Sequence, residues 1–355
     1  MINSLQSLRF IFALLIFLHH FITPRISILG TFPVEFFFVL SGFVMSVRYT
    51  PSILDNNYNY REYFQRRLTK TFPVHWFALF LAILVKLAIM NIHNYKDFLF
   101  TLLPNLALLQ SWIPIKKYYF SFNSPSWFLS DILFIYAIFP LLLKSFNKWK
   151  YLPVAILIVY AIGVYICPIT KIHAFIYINP LSRTVDFMLG MLLYHFISEK
   201  HIIKTTSQIQ NLSSFKKSII EIFVVFMAIV FMVTNKYTDA RLGKTIMLSI
   251  PVIILIYTFV IMDQRGGIVS YILNKPFFIK LGEISMPLFM FHVPIIWVYK
   301  YIMKQQEWST NSTIGFVCCF SVTILISYLY TVFLESYLQQ NFNKIISKLW
   351  KRKLL

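Results

Sequence analysis

Acidic residues are scarce in this chain: 355 residues carry 13 Asp and Glu against 33 Lys and Arg, a formal net charge of +20. Charge of either sign is sparse as well, at 13% of residues, while 58% are hydrophobic and the mean hydropathy is +0.68. This excludes a soluble globule, because the apolar segments exceed what one core could hide. Cys167, Cys318 and Cys319 form an odd set without C-x-x-C spacing, each within or at the end of an apolar run. Packing is their default role, and neither a disulfide framework nor a metal site is supported. There is no Gly/Ser-rich linker, internal repeat or low-complexity block. No small-residue cleavage site follows the first apolar run, so it is expected to remain as a helix and not to be removed as a signal peptide.

What is present is a succession of apolar runs. Windows of about 19 residues mark ten spans, roughly 7–24, 32–49, 72–90, 127–145, 151–167, 176–197, 218–234, 245–262, 284–303 and 313–334. The expected architecture is an all-α, polytopic membrane helix bundle of about ten transmembrane helices with cytosolic N- and C-termini. The Lys and Arg residues concentrate in segments that this topology puts inside, 21 of the 33. The basic excess is thus a topology signal, and nucleic acid is not an expected partner. Residues 1–340 are expected to form the membrane domain and 341–355 a basic cytosolic tail. Phe98–Trp112, interrupted by Pro104 and Asn105, reads as an interfacial or re-entrant segment. The segment 91–126 around it is rich in aromatic side chains suited to the bilayer interface, which also stack on sugar rings. Abundant Phe, Ile, Asn, Lys and Tyr hint at an AT-rich, bacterial genome.

Polar residues inside apolar runs are functional candidates, because hydrocarbon tolerates them only when they face protein or water. Arg9 and His20 sit eleven positions apart on the first run, close to three helical turns, so both project from nearly one face, about 16 Å apart along the axis. Each also fits a plainer role, Arg9 as a positive anchor and His20 as a hydrogen-bonded bundle residue. His19 points about 100° away, a packing or interfacial position. Between the second and third runs, Arg66 and Lys70 share a helical face next to Arg67. Such a cluster suits donor phosphates, but by itself reads first as a topological anchor touching lipid phosphates. Arg183 and Asp186, three apart, can pair on one helix face. Ser41-Gly42 permits close helix approach.

Six blocks, in order, resemble the acyltransferase family three membrane proteins, which acylate sugars of surface polysaccharides. They are Arg9 with ten residues to His20; Phe37-Phe38-Val39-Leu40-Ser41-Gly42-Phe43; Arg66-Arg67-x-x-Lys70-x-x-Pro73; Trp127-Phe128-Leu129-Ser130 with Tyr136 and Pro140 downstream; Arg183-Thr184-Val185-Asp186-Phe187-Met188-Leu189-Gly190; and Leu281-Gly282-Glu283-Ile284-Ser285-Met286-Pro287-Leu288-Phe289-Met290-Phe291-His292-Val293-Pro294. The pattern departs from the family in three places. Asp131 is followed by Ile132 and Leu133 where many members carry an acidic pair, Lys70 replaces a usual Arg, and Pro287 stands where Tyr or Ser is common.

The resemblance implies an inner-membrane, multi-pass O-acyltransferase that moves an acyl group from cytosolic acyl-CoA, most often acetyl-CoA as co-substrate, to a hydroxyl of a glycan or lipid-linked sugar. No bound cofactor or metal is implied. His20 is then expected to act as base or acyl relay, since imidazole titrates near neutral pH, and His292 as a second catalytic imidazole. Arg9, Arg66, Arg67 and Lys70 would bind the donor. Ser41, Trp127, Tyr136, Arg183 and Asp186 would shape the acceptor side or the scaffold. Longer family members carry an extracytoplasmic esterase-like domain, so the resemblance implies that this chain acts without one or with a separate extracytoplasmic partner protein. The rival from another class is a transporter or flippase of lipid-linked sugars, and a third reading is a glycan polymerase. The repeat symmetry or paired broken helices common in transporters are not visible, and a polymerase would carry an outer loop larger than 91–126.

Overall fold

The structure, a computed structural model, describes residues 2–22, 28–89, 94–199, 207–234, 237, 246–263, 266–310 and 312–352. Residues 23–24, 90 and 245 of the expected apolar runs and the last three residues of the 341–355 tail lie outside them. The described residues are helical, without strands. The main helices are α1 Asn3–Ile22, α2 Ile28–Leu54, α3 Tyr60–Ile89, α4 Tyr95–Leu106, α5 Trp127–Lys148, α6 Leu152–Ile166, α7 Pro180–Ser198, α8 Ser214–Thr234, α9 Ser249–Ile261, α10 Ser285–Gln305, α11 Thr313–Leu329 and α12 Glu335–Arg352.

Among the described residues, each of the ten expected apolar runs lies mostly on a helix. Among the described residues, seven helices are long and apolar enough to cross a membrane: α1, α2, α3, α5, α8, α10 and the rod formed by α11 and α12. Helices α6 and α9 are apolar but have 15 and 13 residues, and α7 carries Arg183 and Asp186 in its 19 residues. Residues 341–352 continue α12, which joins α11 through a π turn at Tyr330–Leu334.

Polar groups anchor α1 at its start. The Asp263 carboxylate accepts from the backbone N–H of Asn3 (3.3 Å) and Ser4 (2.8 Å) and from Ser4 Oγ (2.6 Å). An anion there satisfies donors that the first turn leaves open and complements the helix dipole. Ser7 Oγ, fully buried, donates to the Leu273 carbonyl at 2.6 Å. α2 and α7 meet closely because Gly42 faces the backbone of Phe187 while Gly190 faces the backbone of Val39 and Phe43. In a membrane, where helix association rests on close packing, a methyl group there would force the helices apart. Gly42→Ala and Gly190→Ala are expected to cost about 1–3 kcal/mol each, seen as a lower melting temperature in detergent. Gly163→Ala, which opens into free space, should melt like the native protein.

Two prolines create acceptors that other elements fill. Pro140 and Pro294 lack the N–H that would close the bonds to the carbonyls of Tyr136 and Met290. Tyr63 Oη donates to the Tyr136 carbonyl at 2.7 Å, and Asn123 Nδ2 donates to the Met290 carbonyl at 2.8 Å. The second bond ties the 107–126 segment to α10, while Leu99, Phe100, Leu103 and Leu109 before and within it stay exposed. Asn105, Gln110, Ser111, Asn123 and Ser126 are fully enclosed, and irregular backbone survives at membrane depth only when protein satisfies it. Asn105 Nδ2 donates to Ser121 Oγ at 2.6 Å, Ser111 Oγ to Ser130 Oγ at 2.6 Å, and Gln110 Nε2 to Ser126 Oγ at 3.2 Å. The same segment holds two bulky residues at positive φ, Leu108 (55°) and Phe122 (53°). This conformation is costly for such side chains and persists only where the surroundings enforce it.

Candidate active site

Three helices from distant parts of the chain run side by side in the same direction. Along α1 and α10, Phe10 packs with Leu288, Phe17 lies 6.0 Å from the His292 ring, and Phe21 lies 5.6 Å from the Tyr299 ring. Along α3 and α10, Phe77 meets Phe291 at 5.3 Å and Lys86 lies over Trp297 at 5.6 Å. The early residues of α1 and α3 thus share one end of the bundle, and their late residues share the other.

Toward the late end of α1 lie the two imidazoles. His20 Nδ1 is 3.2 Å from His292 Nε2, with ring centroids 4.8 Å apart. His20 Nδ1 also lies 3.0 Å from the Ile16 carbonyl, and His292 Nδ1 lies 3.3 Å from the Leu288 carbonyl. A carbonyl only accepts, so both Nδ1 atoms carry the proton. His292 Nε2 is then an acceptor, and the His20 Nδ1 proton is shared between it and Ile16. This leaves the His20 Nε2 lone pair without a protein donor among the described residues, on a ring that is only half-buried. His292 is fully enclosed. Lys300 Nζ donates to the His20 carbonyl at 3.3 Å, and His19 packs edge-on against His20, 5.1 Å between centroids.

The cations at the other end come together only in part as expected. Arg9 is half-buried and donates to Gln6 Oε1 at 3.1 Å. Arg67 is buried, donates to Tyr49 Oη at 2.8 Å and lies over the rings of Tyr49 and Tyr136. Lys70 sits in the field of Arg67, Arg48 and Arg9 and of the Glu335 carboxylate on α12, and Tyr136 in that of Arg9. The cluster is therefore Arg9, Arg48, Arg67 and Lys70, with Tyr136 beside it. Arg66 turns outward and pairs with Glu62 at 3.9 Å across exposed surface. Neighbouring helical residues diverge by about 100°, so only one of two adjacent arginines can point inward.

Arg183 lies farther into the core than its motif suggests. At 2% exposure it donates to Asp186 (2.5 Å), to Glu35 on α2 (3.0 Å) and through Nε to the Tyr177 carbonyl (2.7 Å). Trp127, Phe38 and Tyr177 surround its guanidinium, and Ser249 Oγ closes on Glu35. Asp131 is fully enclosed nearby, with Ser111 and the Arg183 group as polar neighbours. Ser41 is half-buried on α2, and among the described residues neither histidine hydrogen-bonds to it. Sequence reasoning passed over Glu35, Lys86 and Lys300. Each is a charge inside an apolar run, and that is the signal that would have found them.

A family model described as an acyltransferase domain matches residues 2–332. The chain belongs to acyltransferase family three. A curated relative, the acyltransferase MdmB of Streptomyces mycarofaciens, is 32% identical over 162 residues. That alignment spans 41% of this chain and 40% of the relative. No solved structure gives a significant match. In this chain the first and last family blocks, which carry His20 and His292, meet through their imidazoles. The second and fifth meet through Gly42 and Gly190, and the third faces the first at the cationic end. The blocks are thus the contact surfaces of a single bundle.

Proposed function

We propose that this family member is a bacterial inner-membrane O-acyltransferase that moves an acetyl group from cytosolic acetyl-CoA to a sugar hydroxyl of a surface polysaccharide or its lipid-linked precursor. The observation that carries this reading is the placement of an imidazole pair and of Arg9, Arg67 and Lys70 on the same three parallel helices. Arg9 and His20 are about 16 Å apart along α1, a span comparable to an extended pantetheine arm. Donor phosphates held by Arg9, Arg67 and Lys70 would therefore bring the thioester to His20. Guanidinium groups suit phosphate oxygens through paired, charge-assisted hydrogen bonds.

The chemistry follows from the tautomers. His20 Nε2 takes the proton of the sugar hydroxyl as its oxygen attacks the thioester carbon. Collapse of the tetrahedral intermediate breaks the carbon–sulfur bond, and the leaving thiolate receives that proton from the imidazolium. His292 accepts the His20 Nδ1 proton in a hydrogen bond, so it aims the ring and supports its positive charge; it is a positioning residue. The Arg183, Glu35 and Asp186 group makes its polar contacts with protein and clamps α2 to α7, a scaffold role.

The direct test supplies protein in lipid nanodiscs with labelled acetyl-CoA and cell-envelope glycan. Label in the glycan supports the reading. Absence of transfer, with lipid-linked sugar crossing the bilayer instead, would establish the flippase. The donor site makes a separate prediction. Losing one charge-assisted bond costs about 1.5–3 kcal/mol, roughly tenfold or more in affinity. Arg9→Gln and Arg67→Gln should weaken acetyl-CoA binding by that factor in calorimetry, whereas Arg66→Gln should bind like the native protein. Equal losses in all three would reduce the cluster to a membrane anchor.

A further inference from the structure

The end of the bundle beyond the imidazole pair carries a second pair of cations. Lys86, near the end of α3, sits 4.9 Å from the Phe122 ring and 5.6 Å from the Trp297 ring. Lys300 lies one helical turn beyond Trp297 on α10, and its ammonium reaches the His20 carbonyl. Both side chains are only half-buried, and neither has an ion-pair partner among the described residues. A lysine that merely anchors the bilayer edge extends its ammonium outward to lipid headgroups. These two lean inward, one between aromatic faces and one against the carbonyl of the proposed base's own residue.

Two further features shape the same place. Phe122 holds its ring under Lys86 from a backbone at φ 53°, a conformation that costs free energy for a bulky residue and marks binding sites more often than plain scaffold. Its neighbour Asn123, fully enclosed, uses Nδ2 on the Met290 carbonyl and leaves Oδ1 without a partner among the described residues. Two ammonium groups, an indole face and an uncommitted amide oxygen recognise an anion joined to a polyhydroxylated ring. The ammonium groups attract the anion as point charges, the indole stacks the ring, and the amide accepts from a hydroxyl.

We propose that Lys86 and Lys300, with Trp297, Phe122 and Asn123, form the acceptor site, and that they select a sugar bearing an anionic group, which they hold so that a hydroxyl meets His20. This rests on the O-acyltransferase reading for the identity of the reaction, not for the binding itself. The anion is either the diphosphate of a lipid-linked sugar or a carboxylate on the sugar.

The test uses full-length protein in phosphatidylcholine nanodiscs and three probes: a short-chain prenyl-diphosphate hexose, the same hexose on a neutral prenyl ether, and a prenyl-ether uronate. The native protein is expected to bind one of the anionic probes at least tenfold more tightly than the neutral one, and the preferred probe identifies the source of the anion. Lys86→Gln and Lys300→Gln should each erase most of that preference, while Lys86→Arg and Lys300→Arg should keep it. Acetyl-CoA affinity, governed by the opposite end, checks that each variant is folded. Unchanged preference in the glutamine variants, or an equal loss on the neutral probe, overturns the site. Binding that behaves as expected without acetyl transfer overturns the reaction and leaves the site. Transfer to neutral acceptors with KM unaltered in both glutamine variants overturns the site and leaves the reaction.

Discussion

His20→Ala is expected to lower acetyl transfer by about 10²–10⁴-fold, the usual loss when a general base is removed, with a normal amount of folded protein. The side chain lies half-buried near the end of α1 and bonds chiefly to a carbonyl of its own helix. Its removal strands one acceptor, His292 Nε2, and opens no large cavity. His292→Ala should lose less, because His292 acts through the orientation of His20. His292→Gln, which keeps an acceptor, should retain more activity than His292→Ala. His19→Ala should stay near the native rate, since its ring packs against His20 and Gly30. The measurement is O-acetyl content of purified glycan from cells carrying each variant, with protein levels quantified in parallel. Unchanged acetylation in His20→Ala at normal protein level would remove this residue from the mechanism.

Arg183→Met should fail to accumulate. The substitution leaves Glu35 and Asp186, each about 1% exposed, facing one another without their shared cation. Breaking a buried ion pair by deleting one partner costs about 3–5 kcal/mol, because the remaining charge cannot be solvated. The defect should be relieved when the carboxylates are neutralised at the same time, in the triple variant Arg183→Met, Glu35→Gln, Asp186→Asn, since removing all members of a buried charge group is far cheaper than removing one. Size-exclusion profiles and melting temperatures in detergent report both effects. A single variant that melts like the native protein would show that the triad does not hold α2 and α7 together. A triple variant as damaged as the single would show that Arg183 acts through something other than charge balance.

Several of these residues are legible in the sequence. The spacing of Arg9 and His20 puts two side chains on one helical face, and Arg183 and Asp186 form the ion pair their spacing allows. Ser41-Gly42 marks the close approach of α2 that Gly190 completes. Other features are not legible there. The aromatic residues of 91–126 suggest the membrane interface, but nothing in their order shows that Asn123 bonds to the carbonyl freed by Pro294. Periodicity describes one helix at a time and does not report which neighbour supplies a missing donor. Adjacent Arg66 and Arg67 look equivalent in the sequence, and only helix rotation separates a surface pair with Glu62 from a buried contact with Tyr49.

The sequence by itself determined that this is a helical membrane protein of acyltransferase family three. Hydropathy and short ordered motifs are local properties, written in consecutive residues. Only the tertiary structure decided that His20 and His292, 272 positions apart, share a hydrogen bond, that Glu35 closes on Arg183, and that Lys86 and Lys300 gather beyond the imidazoles. A charge buried in an apolar helix must find a partner or water, but several neighbouring helices could supply one, and the choice is made by how the bundle packs.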